Sequence, residues 1–144
     1  MFQYILVPVD FTEKNRRALD IAINLAQIGA GTVSMLHVIE LIVDTPVEEF
    51  QTFYATLEEQ ATQKMQALVA QYTGGLNPDK LVKLEPKITY GNRVQEIIRF
   101  AEEQSVDLIV INSHKIEWDE PTQGLGTISY KVSILADCPV LLVK

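Results

Sequence analysis

Five short runs rich in β-branched and aliphatic residues alternate with four stretches of helical periodicity. The runs are Ile5–Val9, Thr32–Val38, Leu81–Thr89, Asp107–Ile111 and Val140–Val143. Strict strand–helix alternation without an internal linker leaves few solutions, and a doubly wound parallel sheet is the natural one. Right-handed crossovers place helices on both faces. The order 3-2-1-4-5 then sets strands one and four side by side. The 144 residues suffice for one domain with a real core, so residues 1–144 are read as a single domain.

Local signals support each element. Ile5–Val9 reads as a strand buried on both faces, with Pro8 near its end, where little pairing is lost. Thr12 is a plausible N-cap for a first helix whose apolar face is Ala18, Leu19, Ala22, Leu25 and Ala26, ended by Gly29 and Gly31. Thr45-Pro46-Val47-Glu48 forms a capping box for a second helix. That helix carries Phe50, Phe53, Tyr54, Leu57, Ala61, Met65, Leu68 and Tyr72 on one side, a stripe best explained by core packing. Gly74-Gly75 and Asn77-Pro78 mark a loop, and Leu81–Thr89 reads as a more exposed strand. Gly91-Asn92 leads into a third helix with Val94, Ile97, Ile98 and Ala101 inward, and Gly126–Leu135 is the fourth.

In this topology the winding reverses between strands one and four, and ligands bind outside the carboxyl ends of the strands at the reversal. The residues there are Val9-Asp10-Phe11-Thr12 and Ile111-Asn112-Ser113-His114-Lys115. Asp10 can accept from a ribose hydroxyl or a base amino group, or it can cap the first helix; the sequence weighs these evenly. For Thr12 capping is favoured. Gly126-Thr127 opens a helix whose first N–H groups and dipole attract an anion, although a glycine and threonine also serve simply to start a helix. His114 more often bonds its own loop than a phosphate. Lys115 either neutralises phosphate or is a solvated loop charge. Glu117, Asp119 and Glu120 follow closely and repel a polyphosphate unless they point outward or hold a divalent cation. Trp118 can stack on a partner or cover the site.

Bulk properties narrow the function class. A net charge of −7 with no basic cluster argues against nucleic acid and anionic membranes as partners. No apolar run reaches transmembrane length, and no signal peptide opens the chain. The single cysteine, Cys138, excludes an intrachain disulfide, fits a reducing compartment and reads as a small buried hydrophobe. A cytoplasmic location is expected. No metal-ligand spacing and no catalytic set is found: Ser113 is adjacent to His114 with no third orienting group, and a Walker A motif is absent. A nucleotidyl transferase's His-x-Gly-His-like motif is missing too. A phospho-receiver's acidic pair is also missing, since Asp10 stands alone and strand three ends in Thr89-Tyr90-Gly91. Slow ATP hydrolysis is the most that enzymatic chemistry is expected to amount to.

Over essentially its whole length the sequence resembles the universal stress protein family. The matching pieces include Ile5-Leu6-Val7-Pro8-Val9-Asp10, Arg17-Ala18-Leu19, Leu36-His37-Val38-Ile39 and Gly91-Asn92. They continue with Ala101-Glu102-Glu103, Val106-Asp107-Leu108-Ile109-Val110, Ser113-His114, Gly126-Thr127 and Cys138-Pro139-Val140-Leu141-Leu142-Val143. The resemblance implies a Rossmann-like, adenine nucleotide alpha hydrolase-like α/β fold. It also implies ATP or AMP at the switch point, with magnesium as an accompanying ion, in a stress-response domain. It maps adenine and ribose contacts onto Asp10, Val38 and Ile111, and phosphate contacts onto Asn112, Lys115, Gly126, Thr127 and Ile128. Pro8, Val9, Thr12 and His114 complete the candidate set.

Binding members show glycine, two residues, glycine, nine residues, glycine, then serine or threonine. This chain has Asn112 and Lys115 at the first two glycines and ten residues, Ile116 to Leu125, before Gly126. Asparagine tolerates positive φ, so Asn112 is expected to keep the glycine's backbone shape. The alternative is a family member that binds no nucleotide and works through protein contacts. The last strand, Val140, Leu141, Leu142 and Val143, is apolar and belongs at a sheet edge. Pairing it across a two-fold axis gives the homodimer that the family commonly forms.

Overall fold

The computed structural model describes residues 2–41, 47–73, 82–115, 118–119 and 127–144. The elements are β1 (Tyr4–Pro8), α1 (Lys14–Gly29), β2 (Thr32–Glu40), a 3-10 turn (Val47–Phe50), α2 (Gln51–Thr73) and β3 (Lys83–Gly91). They continue with α3 (Arg93–Glu103), β4 (Leu108–Asn112), α4 (Ile128–Leu135) and β5 (Val140–Val143). The five strands form one parallel sheet in the order β3-β2-β1-β4-β5, as the alternation predicts.

Side-chain alternation divides the core between the two faces of the sheet. Ile5, Val7, Met35, Leu108 and Val110 point to one face and are covered by Ala18, Leu19, Ala22 and Ala26 of α1 and Met65 of α2. Leu6, Leu36, Ile109 and Ile111 point to the other, under Val94, Ile97 and Ala101 of α3 and Val132 of α4. A strand buried on both faces must be apolar at every position, which is why β1 and β4 read as continuous runs.

Several boundaries differ from expectation for identifiable reasons. Thr12 does not cap α1. Its hydroxyl donates to Asp10 Oδ1 at 2.6 Å, and the capping position falls to Glu13, which makes no side-chain cap bond. At the other end neither glycine takes the left-handed turn; Ala30 does, at φ 51°. Gly31 is needed for another reason: a Cβ there would lie 2.9 Å from the carbonyl oxygens of both Phe2 and Gln3. β4 begins after Asp107, whose carboxylate accepts from the amides of Gln3 and Tyr4 at 2.8 and 3.1 Å and so aligns β1. β3 runs on to Gly91, and α4 starts at Ile128 behind Thr127. The Thr45-Pro46 start signal, the Gly74-Gly75 and Asn77-Pro78 breaks, Leu81 and Gly126 lie outside the described residues.

The apolar stripe of α2 is only partly core. Tyr54, Ala61 and Met65 are buried, whereas Phe50 and Phe53 are 38% and 48% exposed. Tyr54 packs on Ile39 and Tyr90, near the ends of β2 and β3.

Candidate functional site

The turn from β1 into α1 is shaped by Asp10. Its Oδ1 accepts from the Thr12 amide at 3.0 Å and from the Thr12 hydroxyl, an Asx turn that sets the helix entry. Phe11 sits inside this turn at φ 65°, a left-handed conformation unusual for a bulky residue and held here by its surroundings. Burial pushes the Asp10 carboxyl upward. The Thr12 hydroxyl and amide outweigh it, aided by the charge of Arg93, and hold the group below its ordinary value. Oδ2 of Asp10 has no hydrogen-bond partner among the described residues.

A chain of carboxamides ties this turn to β4. Asn15, 4% exposed, accepts from the Asp10 amide at 3.0 Å and donates to Asn112 Oδ1 at 3.2 Å. Asn112 in turn donates to the Lys14 carbonyl. The positive φ expected of Asn112 is not found; it extends β4, and Phe11, Ala30 and Ser105 are the non-glycine residues with positive φ among those described. As the last residue of β4 it faces α1, and that is where its side chain is spent.

Above these bonds a cleft opens at the carboxyl end of the sheet, where the winding reverses. Its apolar wall is Pro8, Val9, Leu36, Val38, Ile97, Ile111 and Ile128, and its polar groups are Asp10, Asn15, Arg93 and Asn112. Of the residues expected at the site, Pro8, Val9, Asp10, Val38, Ile111, Asn112 and Ile128 meet here. Thr12 faces a neighbouring cavity between α1 and α2. His114 and Lys115 line a separate recess. Thr127 caps α4, its hydroxyl accepting from the Tyr130 amide at 3.3 Å, and Gly126 is outside the described residues. Trp118 is 90% exposed. Val140 to Val143 form the outermost strand, with Leu141 exposed and Val143 buried. No group of three or more His, Cys, Asp or Glu able to hold a metal occurs among the described residues.

Sequence reasoning did not single out Asn15, Arg93 or His37. Asn15 carried a signal, since it shares the helical face of Ala18, Leu19 and Ala22, where a polar residue needs a buried partner. Arg93 reaches the cleft from the first turn of α3 and pairs loosely with Glu40 at 3.5 Å. His37 places Nδ1 2.9 Å from the Val9 carbonyl oxygen, which makes Nδ1 the donor, and its ring lies 4.4 Å from that of Phe11.

Burial lowers the pKa of His37 below 6.5, so the fold prefers the neutral ring. The unfolded chain then binds the proton first as pH falls, and stability declines below about pH 6.5. His37→Gln keeps a donor for Val9 and is expected to flatten the fall in melting temperature between about pH 7 and 5. An unchanged slope would remove His37 as its source.

The model of the Universal stress protein family matches residues 1–144. The chain belongs to the universal stress protein family. Universal stress protein YxiE of Bacillus subtilis is 31% identical over 150 residues, covering 100% of both chains. The solved structure of MJ0577, a universal stress protein of Methanocaldococcus jannaschii, is 31% identical with a TM-score of 0.78, covering 100% of this chain and 96% of that one. Two other universal stress protein structures are complexes. One holds cAMP (19% identity, TM-score 0.65, 99% of this chain and 97% of that one), the other, from Archaeoglobus fulgidus, dAMP (18%, 0.65, 99% and 98%). At such identities these two establish likeness of fold alone.

Proposed function

We propose that this universal stress protein binds an adenine nucleotide, ATP or AMP, in the cleft between the ends of β1 and β4, as a stress-response or regulatory domain. The observation that carries the reading is the convergence of Pro8, Val9, Asp10, Val38, Ile111, Asn112 and Ile128 on one cleft at the switch point. The donor set suits such a ligand. The aliphatic walls from β2, β4 and α3 suit a purine face, and Oδ2 of Asp10 is available to a ribose hydroxyl. Thr127 and Ile128 at the start of α4 suit a phosphate, with magnesium accompanying a triphosphate. The cAMP and dAMP complexes of other family members support the same ligand class.

The test is direct. Purified protein is denatured and the released small molecules are chromatographed, and nucleotide-free protein is melted with ATP or AMP. A purine nucleotide in the first experiment is expected. In the second, ligand at 100 times Kd stabilises by about 2.7 kcal/mol, a rise of several degrees. An empty trace together with no thermal shift would refute the reading.

The second reading, a member acting through protein contacts, is favoured by the outer edge of the sheet. Leu141 on β5 and Ile134 and Leu135 on α4 are 39%, 62% and 57% exposed, an apolar strip beside unpaired strand edge. We read it as the face of a homodimer in which β5 meets its copy. Leu141→Lys is expected to halve the mass seen by light scattering at micromolar concentration. A wild-type protein already monomeric there would refute the dimer. Burial pushes the Cys138 thiol up, which favours its protonated, less nucleophilic form.

A further inference from the structure

One residue of β2 grips the Asp10 turn on both sides. Val9 still pairs with β2 through its N–H, which donates to the Leu36 carbonyl oxygen at 2.9 Å. Its own carbonyl oxygen is taken by a side chain, Nδ1 of His37, at 2.9 Å. The same imidazole lies against Phe11, with ring centroids 4.4 Å apart and planes tilted by 37°. Val9 and Phe11 are the residues that flank Asp10.

Phe11 is where this grip matters. At φ 65° it holds a side chain in the left-handed region, which glycine enters freely and a bulky residue enters at a cost. Such a conformation persists only where its surroundings over-determine it. The Phe11 ring packs against Ile39, Tyr54 and Ala61, and the Lys64 ammonium lies 5.8 Å from its centroid. Those contacts cover the ring. His37 also holds the carbonyl on the far side of Asp10, so it fixes the ring and the chain entering the turn together. Relaxation of Phe11 to negative φ would swing the Thr12 amide away from Asp10 Oδ1. The 3.0 Å bond that closes the Asx turn would then be lost, and the carboxylate would no longer be fixed.

His37 does not itself line the cleft. It lines a neighbouring cavity with Phe11 and Lys64, and that cavity and the cleft share Asp10, Val38 and Arg93. We propose that His37 is a positioning residue: it locks Phe11 in the left-handed conformation and so sets the Asp10 carboxylate for a ligand in the cleft. Its effect on affinity rests on the nucleotide reading above; its hold on the turn does not. Glycine at position 11 would make the lock unnecessary, because it takes positive φ without support.

The experiment is a double-mutant cycle on the nucleotide-free full chain, read by hydrogen exchange of the Thr12 amide. At about pH 7.5 the His37 ring is neutral, so no charge is lost with it. His37→Asn puts an amide N–H where Nδ1 stands and removes the ring, which keeps the Val9 bond and deletes the Phe11 contact. It is expected to speed Thr12 exchange about tenfold while exchange at Ile109, in the core, stays unchanged. In a Phe11→Gly background the same substitution is expected to change Thr12 exchange by less than about twofold. Phe11→Asn is a second such background, since asparagine also tolerates positive φ. Calorimetry then reads the site: His37→Asn is expected to lose about tenfold in affinity for both ATP and AMP, and to cost nothing further in the Phe11→Gly background. Equal acceleration of Thr12 exchange in both backgrounds, or none in either, overturns the positioning role, and nucleotide binding in those variants leaves the nucleotide reading standing. The expected exchange pattern with no binding of ATP or AMP by the wild type sustains the positioning of Asp10 and removes the nucleotide reading.

Discussion

Replacing Ile109 by alanine is expected to lower the unfolding free energy by about 2–5 kcal/mol. Ile109, the second residue of β4, is fully buried, opposite Leu6 on one side and Val140 on the other. It packs under α3 and α4 with Ile97 and Val132, both fully buried as well. Neighbours that dense cannot close over the lost methyl groups, so a cavity term adds to the lost transfer energy. Against a total of about 5–15 kcal/mol for a domain, the variant approaches the threshold of folding at 37 °C. Ile111→Ala is the informative comparison. Ile111 lies on the same face two residues on, but it lines the open cleft. Water can fill the space it leaves, so its loss belongs at the low end of the range. Urea midpoints for the two variants measure the difference. A loss below about 1 kcal/mol for Ile109→Ala would contradict a core divided by the sheet into two packed halves.

Much of this arrangement was legible in the sequence, because parallel strands buried on both faces carry their signature locally. Alternation gave the strand count, and the crossover rule gave the order that joins β1 to β4. The placement of Asp10 beside Ile111 followed from topology, with no spacing motif needed, whereas Val38 is placed there only by the family resemblance. What was not legible depended on competition between nearby acceptors or on partners far along the chain. For Thr12 the sequence favours capping α1, but the Asp10 carboxylate two residues back competes for the same hydroxyl and wins. Asn112 was read through the glycine it replaces, as a residue able to take positive φ. Its side chain instead bonds Asn15, 97 positions away, and its backbone continues the strand. The left-handed residue of the site is Phe11, whose type gives no hint of it. Arg93 follows the Asn92 cap, whose side chain accepts from the Gln95 amide at 3.1 Å, and a cation in a first helical turn carries no local sign that it faces a cleft.

Asp10→Asn is expected to weaken ATP and AMP binding about 10- to 100-fold while leaving the melting temperature of the free protein nearly unchanged. The factor follows from a charged hydrogen bond worth about 1.5–3 kcal/mol. The reason for asparagine is the double duty of the residue. One carboxylate oxygen, Oδ1, holds the Thr12 amide and hydroxyl; the other has no hydrogen-bond partner among the described residues, and Asp10 lines the cleft. Asparagine keeps an acceptor for Thr12 and removes the charge that a ribose hydroxyl would meet. Thr12→Val is the mirror experiment: it deletes the hydroxyl bond, spares the carboxylate, and is expected to cost about 1 kcal/mol of stability with binding intact. Alanine at position 10 would combine both losses and separate nothing. The pH behaviour adds a third constraint. The Thr12 bonds hold the Asp10 carboxyl below 3.8, so it is ionised throughout the neutral range and its contribution to binding is flat there. Because its folded pKa is the lower one, the stability it contributes is complete above about pH 4 and is lost as pH falls further. Wild-type affinity in Asp10→Asn, measured beside weakened affinity in Thr12→Val, would move the ligand from the cleft to the neighbouring cavity between α1 and α2. Thr12 lines that cavity, and Asp10 does not.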